Sequence, residues 1–233
     1  MNELLKSLFF VRTCLGCGAA LPDAGKEDVF CPECFRLYSQ LKNEECLHCG
    51  KRMDECRCVP DILRGKVFWS VHLFSYYDKL SKQIVYTLKM KNYLPLQRFL
   101  AKELAEVILE ATEGNLDGYA VTFAPRNPKS VCLYGFDQAK ILAEMTAARL
   151  GLPVDDLFRH THFSKTQKRL KAFERKKNAK NSYVLKKRAY RRTDKLLIFD
   201  DIVTTGSTLA ALVSLAEALG YREIAVVSVA KTL

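Results

Sequence analysis

Apolar side chains recur every three or four residues in four stretches of the chain, and this spacing predicts four amphipathic α-helices. The first two stretches consist of Leu80, Ile84 and Leu88, and of Leu96, Leu100 and Leu104 after Pro95. The other two consist of Ile141, Leu142, Met145 and Ala148, and of Leu209, Leu212, Val213, Ala216 and Leu219. Gly220 is placed to end the last helix.

Apolar runs without polar alternation predict β-strands around these helices. They read VFWSVHLFSYY (67–77), YAVTFAP (119–125), KLLIFDD (195–201) and EIAVVSVA (223–230). Buried strands that alternate with helices indicate a parallel sheet covered on both faces. We therefore expect residues 65–233 to form a doubly wound α/β domain.

Cysteine is concentrated at the start of the chain, where eight of the nine cysteines lie within the first 58 residues. They occur in CLGCG, CPEC, CLHCG and CRC, at Cys14, Cys17, Cys31, Cys34, Cys46, Cys49, Cys56 and Cys58. Thiolates two residues apart suit tetrahedral zinc, because one turn points both sulfurs at one ion. Residues 1–64 are therefore predicted to form a small zinc-ribbon-like domain with structural Zn²⁺ in two four-cysteine sites.

The pairing of these cysteines has two open solutions. Sequential sites join the first four cysteines and then the last four, whereas a cross-braced arrangement interleaves them. The near-identical CLGCG and CLHCG lie 32 residues apart and indicate an internal duplication. The shorter CRC leaves the completeness of the second site open. VPDILRGK (59–66), with Pro60 and Gly65, is interpreted as a linker to the second domain.

The stretch LLIFDDIVTTGSTL (196–209) carries the strongest candidate for chemistry. Ligands of parallel sheets bind beyond the carboxyl ends of the strands, and a helix N-terminus there favours an anion. Gly206 permits a tight turn, and four hydroxyl side chains surround it, so the loop suits a phosphate. Asp200 and Asp201 would repel phosphate, but carboxylates accept hydrogen bonds from the vicinal hydroxyls of a ribose.

Two simpler interpretations of the same stretch remain. A strand that ends in two aspartates is typical of a Walker B segment, which needs a G-x-x-x-x-G-K-[ST] loop that this sequence lacks. An ordinary strand-to-helix turn with an aspartate or threonine cap would also read this way.

LLIFDDIVTTGST resembles the phosphoribosyl-diphosphate (PRPP) signature of type I phosphoribosyltransferases. With the cysteine pairs and GFDQAKILAE (135–144), the chain from Cys14 onward resembles the ComF-type competence proteins. These are zinc-bearing, phosphoribosyltransferase-like proteins required for DNA uptake in naturally transformable bacteria. The resemblance implies a sheet of the type I phosphoribosyltransferase kind and a ribose-phosphate or PRPP ligand, with Mg²⁺ as an option. It also implies that Asp200 and Asp201 contact the ribose hydroxyls and that the 5′-phosphate is wrapped by Thr204, Thr205, Gly206, Ser207 and Thr208.

The chain departs from the family pattern on the diphosphate side of the expected site. Phe123, Tyr134 and Asp137 stand where the family has a proline, an arginine and an asparagine. The arginine matters most, because the loop here holds diphosphate in active transferases. Arg126 or Lys129 are the candidates to replace it. Turnover of PRPP is therefore open, and the expected function does not require it.

Positive charge is confined to one segment. Residues 159–195 carry 15 Lys/Arg and 2 acids, a net charge of +13, whereas the whole chain carries +11. Such a run is often only a solvated face, but Phe163, Phe173, Tyr183 and Tyr190 are interleaved with it. Cations neutralise phosphates and aromatic rings stack bases, which favours contact with single-stranded nucleic acid. The expected contacts are Lys165, Lys168, Arg169, Lys171, Arg175, Lys176, Lys177, Lys180, Lys186, Lys187, Arg188, Arg191 and Arg192.

The same sequence bears on location and on isolated reactive side chains. No run approaches the roughly 18 apolar residues of a membrane span, and MNELLKSLFFVR matches a signal peptide poorly. We therefore expect a cytoplasmic chain without membrane insertion. His72 is expected to be a satisfied core histidine, and Cys132 to be buried.

The favoured function is that of a DNA-uptake protein that binds a ribose-phosphate ligand and single-stranded DNA. The family resemblance implies a helicase-like ATPase partner. The alternative is an active phosphoribosyltransferase that uses PRPP and a base or amine acceptor. A scaffold with a vestigial pocket is the third interpretation.

Overall fold

Four parallel strands form the centre of the molecule in a computed structural model that describes residues 12–21, 25, 28–161 and 182–232. The elements are β1 (Arg12–Thr13), β2 (Ala20–Leu21), α1 (Pro32–Asn43), a 3₁₀ turn (Asp61–Leu63), β3 (Trp69–Ser75), α2 (Lys79–Met90), α3 (Leu94–Ala111), β4 (Tyr119–Phe123), α4 (Pro128–Tyr134), α5 (Gln138–Leu150), β5 (Phe158–His160), β6 (Tyr183–Leu185), β7 (Lys195–Val203), α6 (Ser207–Ala218) and β8 (Glu223–Lys231). The four amphipathic patterns lie on α2, α3, α5 and α6, and the four apolar runs lie on β3, β4, β7 and β8.

The central sheet has the order β3-β8-β7-β4 with all neighbours parallel. Consecutive side chains of β7 point to opposite faces, so Leu197 and Phe199 join one core cluster while Leu196 and Ile198 join the other. Both faces are covered, which explains why the strand has no polar alternation. The predicted α/β fold class is confirmed.

Helices cover the sheet from two sides. The first face packs against α1, α2, α3 and α5. The second packs against α6, the 3₁₀ turn and the antiparallel pair of strands β5 and β6. The chain thus leaves β4 toward the first face through α5, and leaves β7 toward the second face through α6.

One predicted helical face is rotated by about a residue. In α5 the buried positions are Gln138, Ala139, Leu142, Ala143, Thr146 and Ala147, whereas Ala148 is exposed. Small side chains let α5 approach α3 closely, and Thr146 Oγ1 reaches the carbonyl of Ala101 at 3.5 Å. The close packing of small residues, and not the burial of the larger Met145, therefore decides which face of α5 is buried.

The cysteine-rich segment is attached to the sheet domain through α1. Tyr38 is 1% exposed, packs edge-on against Phe99 and Phe74, and donates a 3.0 Å hydrogen bond to Glu103 of α3. Lys42 lies 2.6 Å from the same carboxylate. Burial and the charge of Glu103 raise the pKa of Tyr38, which keeps the phenol protonated as a donor. The division at residues 64 and 65 stays a prediction.

His72 anchors the end of the cysteine-rich segment to the sheet. Ser70 Oγ lies 2.6 Å from the carbonyl of Cys58 and 3.1 Å from His72 Nε2, and Ser228 Oγ lies 2.7 Å from His72 Nδ1. The two serines donate to the carbonyls of Cys58 and Ala230, and each ring nitrogen of His72 has one of their hydroxyls as its partner. Burial lowers the pKa of His72 to about 3, with Lys231 adding to the effect. The prediction of a satisfied core histidine is confirmed.

Within the described ranges, none of the helices combines the length and apolar character that crossing a bilayer would require.

Glu103→Ala is expected to lower the free energy of unfolding by about 2–3 kcal/mol, because Lys42 loses its nearest carboxylate and Tyr38 its acceptor. Glu106→Ala on the exposed side of α3 is the matched control, with an expected change within about 0.5 kcal/mol. Denaturant unfolding measures both. Equal losses in the two variants would contradict this account of the attachment.

Candidate metal centres and ribose-phosphate site

The eight N-terminal cysteines form two groups in chain order. Cys14, Cys17, Cys31 and Cys34 make the first, and Cys46, Cys49, Cys56 and Cys58 make the second, with the sulfurs of each group within 4.8 Å of one another. The grouping is sequential rather than cross-braced. The exposed His48 is in neither group.

Both groups are built on the same turn. Gly18 N donates to the carbonyl of Cys14 at 2.9 Å, and Gly50 N donates to the carbonyl of Cys46 at 2.8 Å. Cys14 N and Cys46 N each donate at 2.7 Å, to Ala19 and Lys51 respectively. The repeated hydrogen bonds explain why CLGCG and CLHCG share their pattern.

The sulfur spacing fits a tetrahedral metal ion. Cys17 Sγ and Cys31 Sγ are 3.7 Å apart, and Cys49 Sγ and Cys56 Sγ are 3.8 Å apart. Zinc–sulfur bonds of about 2.3 Å in a tetrahedron place the sulfurs about 3.8 Å from each other. The described cysteines therefore suit a structural site with four sulfur ligands, which could hold a metal ion.

In each group, the pKa of one thiol is lowered. Burial opposes ionisation of Cys14, but backbone amides of Cys17 and Cys31 outweigh it and lower the pKa of Cys14 to about 6. Cys46 is also buried, and amides of His48 and Cys49 lower its pKa to about 7. Amide donors that stabilise thiolates favour metal binding, because the ligand is the thiolate.

The term crevice is used here for the place beside β7 that lies beyond the carboxyl end of β4. β4 ends at Phe123, which is paired with Phe199, so β7 continues beyond its neighbour. The chain leaves these two strands toward opposite faces, which makes this the switch point where α/β proteins bind ligands. Asp200 and Asp201 come directly after Phe199 and so lie at the crevice.

The two aspartates belong to β7 and do not follow it. Asp200 is paired with Ser228, and the strand continues to Val203, which is paired with Lys231. The sequence placed the end of the strand at the carboxylates, because the apolar run ends there. Pairing with β8 extends the strand, whereas the missing pairing with β4 creates the crevice.

Asp201 is surrounded by partners. It is 5% exposed, its Oδ1 lies 3.3 Å from Lys89 Nζ, and its Oδ2 accepts a 2.6 Å hydrogen bond from Gln138 Nε2. Gln138 is itself buried, and its Oε1 has no hydrogen-bond partner within the described part of the chain. The amide is therefore oriented by Asp201.

Asp200 is in a different environment. It is partly exposed, and its Oδ1 accepts a 2.8 Å hydrogen bond from the amide of Asp201. Desolvation and the charge of Asp201 raise the pKa of Asp200 well above its usual value, while Lys89 acts in the opposite direction. Tyr183 of β6 lies near Asp200, and burial together with the charge of Asp200 raises the pKa of Tyr183.

The candidate phosphate loop turns at Gly206 into α6. Gly206 has a φ of +71°, which favours glycine, and an added Cβ would lie 2.8 Å from Ile62 Cγ2 and 3.5 Å from Pro60 Cβ. Thr204 and Thr205 are exposed, and Ser207 Oγ lies 2.9 Å from Thr205 Oγ1. First-turn amides of a helix lack intrahelical acceptors, so the loop offers donors to an anion.

The interpreted linker is packed rather than free. Pro60 and Ile62 lie against Gly206, and Leu63 is fully buried among the residues under α6. The segment that leaves the second cysteine group thus supports the phosphate loop.

Arg126 is held by the protein itself. Its Nη2 donates to the carbonyl of Lys89 at 2.8 Å, and its Nη1 donates to the carbonyl of Phe136 at 3.3 Å. The guanidinium also lies over the Tyr134 ring at 4.5 Å. Lys129 is exposed on α4. Arg126, one of the two candidates to replace the family's arginine, thus stabilises the loop after β4.

Asp137 caps α5. Its Oδ1 accepts from the amide of Lys140 at 3.2 Å and its Oδ2 from the amide of Arg126 at 2.8 Å. Desolvation raises the pKa of Asp137 despite these donors. The structure gives this added acid a local role that the sequence did not indicate.

Most of the expected nucleic-acid contacts lie outside the described residues, namely Lys165, Lys168, Arg169, Lys171, Arg175, Lys176, Lys177 and Lys180. Three of the described ones are in ion pairs: Lys186 with Asp156 at 2.5 Å, Arg191 with Asp194 at 2.6 Å and Arg192 with Asp155 at 2.9 Å. The other two, Lys187 and Arg188, are exposed, and neither has an ion pair with a described residue.

Two cases show where sequence reasoning missed the environment of a side chain. Lys89 has no signal in the sequence, because it is one of several lysines on an amphipathic helix. Cys132 is exposed, so the expectation of burial was wrong; none of the residues of the short helix α4 is buried.

The parallel sheet, the crevice at its switch point and the loop at Gly206 define an α/β protein with a doubly wound parallel sheet, preceded by four-cysteine clusters. Competence protein F of Haemophilus influenzae is 26% identical over 238 residues, which cover 96% of this chain and 98% of that protein. The resemblance to the ComF-type proteins is thereby confirmed.

No family model matches the chain. A purine phosphoribosyltransferase from Pyrococcus horikoshii aligns with 57% of this chain and 83% of its own chain, at 14% identity and a TM-score of 0.34.

Metal content tests the two cysteine groups. Wild type is expected to hold about two metal ions per chain, one in each four-cysteine group, whereas Cys17→Ser or Cys49→Ser is expected to hold about one. Cys132→Ser is the matched control and is expected to keep both, because Cys132 is in neither group. Elemental analysis of the purified chain gives the count and the identity of the metal. Loss of metal from Cys132→Ser alone would contradict the assignment.

Proposed function

We propose that this chain binds a ribose-phosphate ligand in the crevice between β4 and β7. The observation that carries the proposal is the placement of a partly exposed carboxylate, Asp200, on the strand that leads directly into the loop at Gly206. A carboxylate accepts hydrogen bonds from sugar hydroxyls, and a helix N-terminus attracts the phosphate. Both ends of a ribose phosphate thus find a suitable group.

The proposed role of this binding protein is in DNA uptake, in the cytoplasm. The name of the H. influenzae relative supports a competence role, since that chain aligns almost completely with this one. The family resemblance further suggests a helicase-like ATPase as partner. We propose zinc for the two cysteine groups, because four sulfurs at tetrahedral spacing suit it.

Single-stranded DNA is the proposed macromolecular ligand. The support comes from the net charge of +13 in residues 159–195 and from the exposed side chains that follow β6. There Tyr190 is 58% exposed and the guanidinium of Arg192 lies 5.4 Å from its ring centre. Lys187 and Arg188 stand beside them and are the described cations proposed to contact phosphates.

An active phosphoribosyltransferase is the second candidate. The complete loop from Thr204 to Thr208 favours it, because that loop is the phosphate site of the resembled enzymes. The engagement of Arg126 by Lys89 and Phe136 opposes it. Release of diphosphate from PRPP with a base or amine acceptor would establish the enzyme; Mg²⁺ is proposed only for that case.

Ribose 5-phosphate is expected to bind wild type and to bind Asp200→Asn at least tenfold more weakly, which is about 1.4 kcal/mol. Affinity is expected to rise with pH, because the pKa of Asp200 is raised and the ionised carboxylate is the better acceptor. Calorimetric titration measures both effects. Asp117→Asn, in the exposed loop before β4, is the control and is expected to bind like wild type. Equal binding by Asp200→Asn would refute the site.

Single-stranded oligonucleotide binding is expected to weaken steeply with salt, since released counterions drive it. Joint replacement of Lys187 and Arg188 by alanine is expected to reduce the slope of log K against log salt by about 1.4, or about 0.7 for each lost phosphate contact on a single strand. Joint replacement of Lys82 and Lys102, which are exposed elsewhere, is the control. Absence of binding at low salt would exclude the DNA proposal.

A further inference from the structure

The side chains of Asp200 and Asp201 lie on opposite faces of β7. Successive residues of a strand alternate between faces, so Asp200 shares its face with Leu196 and Ile198, and Asp201 with Leu197 and Phe199. The second core cluster, to which Leu196 and Ile198 belong, includes Leu209 of α6 and borders the phosphate loop. Asp200 is therefore the carboxylate on the phosphate side of the sheet.

Asp201 faces the helices on the other side. Lys89 comes from the last turn of α2 and Gln138 from the first position of α5, and each binds one of its two carboxylate oxygens. Only 5% of the residue remains exposed. Each oxygen of this carboxylate thus already has a protein partner, and the low exposure leaves little of its surface for the hydroxyls of a sugar.

The partners of Asp201 are themselves fixed. The carbonyl of Lys89 accepts the hydrogen bond from Arg126, and the buried Gln138 keeps its amide nitrogen on Asp201 while its Oε1 has no described partner. The two helices, the loop after β4 and the strand are thus joined through one carboxylate. Such an arrangement orients a neighbouring group and does not exchange partners readily.

We infer that the two aspartates have different tasks, in which Lys89 and Gln138 hold Asp201 as a positioning residue and Asp200 alone binds the sugar hydroxyls. Asp201 acts through its amide, which donates to Asp200 Oδ1 at 2.8 Å and leaves the second oxygen of Asp200 for the ligand. Lys89 acts through its charge, which offsets one of the two adjacent carboxylates. This inference rests on the proposed ribose-phosphate site and gives each aspartate of that site a separate role.

Several charged and titratable groups face Asp200. Asp201 lies on its own strand, Lys89 on α2, Asp137 at the start of α5 and Tyr183 on β6. Lys89 is the positive charge among these four, so its removal favours the protonated carboxyl of Asp200. Removal of the negative charge at Asp201 has the opposite effect.

The pH profile of ribose 5-phosphate binding tests the inference. Lys89→Met is expected to shift the midpoint of the profile to higher pH, and affinity is expected to recover at high pH. Asp201→Asn is expected to shift the midpoint to lower pH and to retain binding above it. Lys89→Arg is expected to restore the wild-type midpoint, and Lys82→Met on the exposed side of α2 is the control.

Two results would overturn the inference. One is a loss of affinity in Asp201→Asn as large as that in Asp200→Asn at all pH values, with both variants folded. The other is a binding profile in which Lys89→Met has the same pH midpoint as Lys82→Met. A purely structural lysine would lower the affinity for ribose 5-phosphate without shifting that midpoint.

A third measurement separates this inference from the proposed function. If wild type fails to bind ribose 5-phosphate, the proposed function fails, and denaturant unfolding still tests the role of Asp201. The inference expects Lys89→Met and Gln138→Ala to unfold at lower denaturant concentration than Lys82→Met. Equal midpoints of unfolding in the three variants would overturn it.

Discussion

Burial of β7 on both faces is the constraint on which the rest of the structure depends. A strand covered by helices on one side and by α6 and the β5–β6 pair on the other cannot place a charge among its central residues, Leu196 to Phe199, without leaving it unpaired. The first position at which a carboxylate meets a crevice is the one after Phe199, where the pairing with β4 ends. The polar end of this apolar strand is therefore a consequence of sheet topology.

Charge at that crevice is balanced within the chain. Three carboxylates, those of Asp137, Asp200 and Asp201, are arranged there, and the structure compensates them with backbone amides, Lys89 and the amide of Gln138. Arg126 contacts carbonyls and aromatic rings in the same region, so its guanidinium stabilises the loop after β4. In the proposed site, the hydroxyl groups of the ligand lie on one side of this crevice and its phosphate lies at the Gly206 loop.

Sequence predicts the parts of this protein that depend on local pattern. The α/β class, the strands and the grouping of cysteines by twos follow from periodicity and spacing, because these patterns reflect burial and turn geometry directly. The partners of Asp201 depend on where α2 and α5 end relative to β7, and no pattern in Lys89 or its neighbours expresses that. Likewise, α1 was not predicted, since its apolar contacts with Phe74 and Phe99 join distant parts of the chain.

Pro60 and Ile62, which follow the cysteine-rich segment, contact Gly206 and form a wall behind the candidate phosphate loop. A fragment that begins after residue 64 lacks that wall, so weaker phosphate binding by such a fragment would report lost support and not a lost ligand contact. The same contact links side-chain size in two distant stretches of sequence. A larger residue at position 62 has to be accommodated at position 206, so the two parts of the chain are expected to change together during evolution and to resist exchange between relatives.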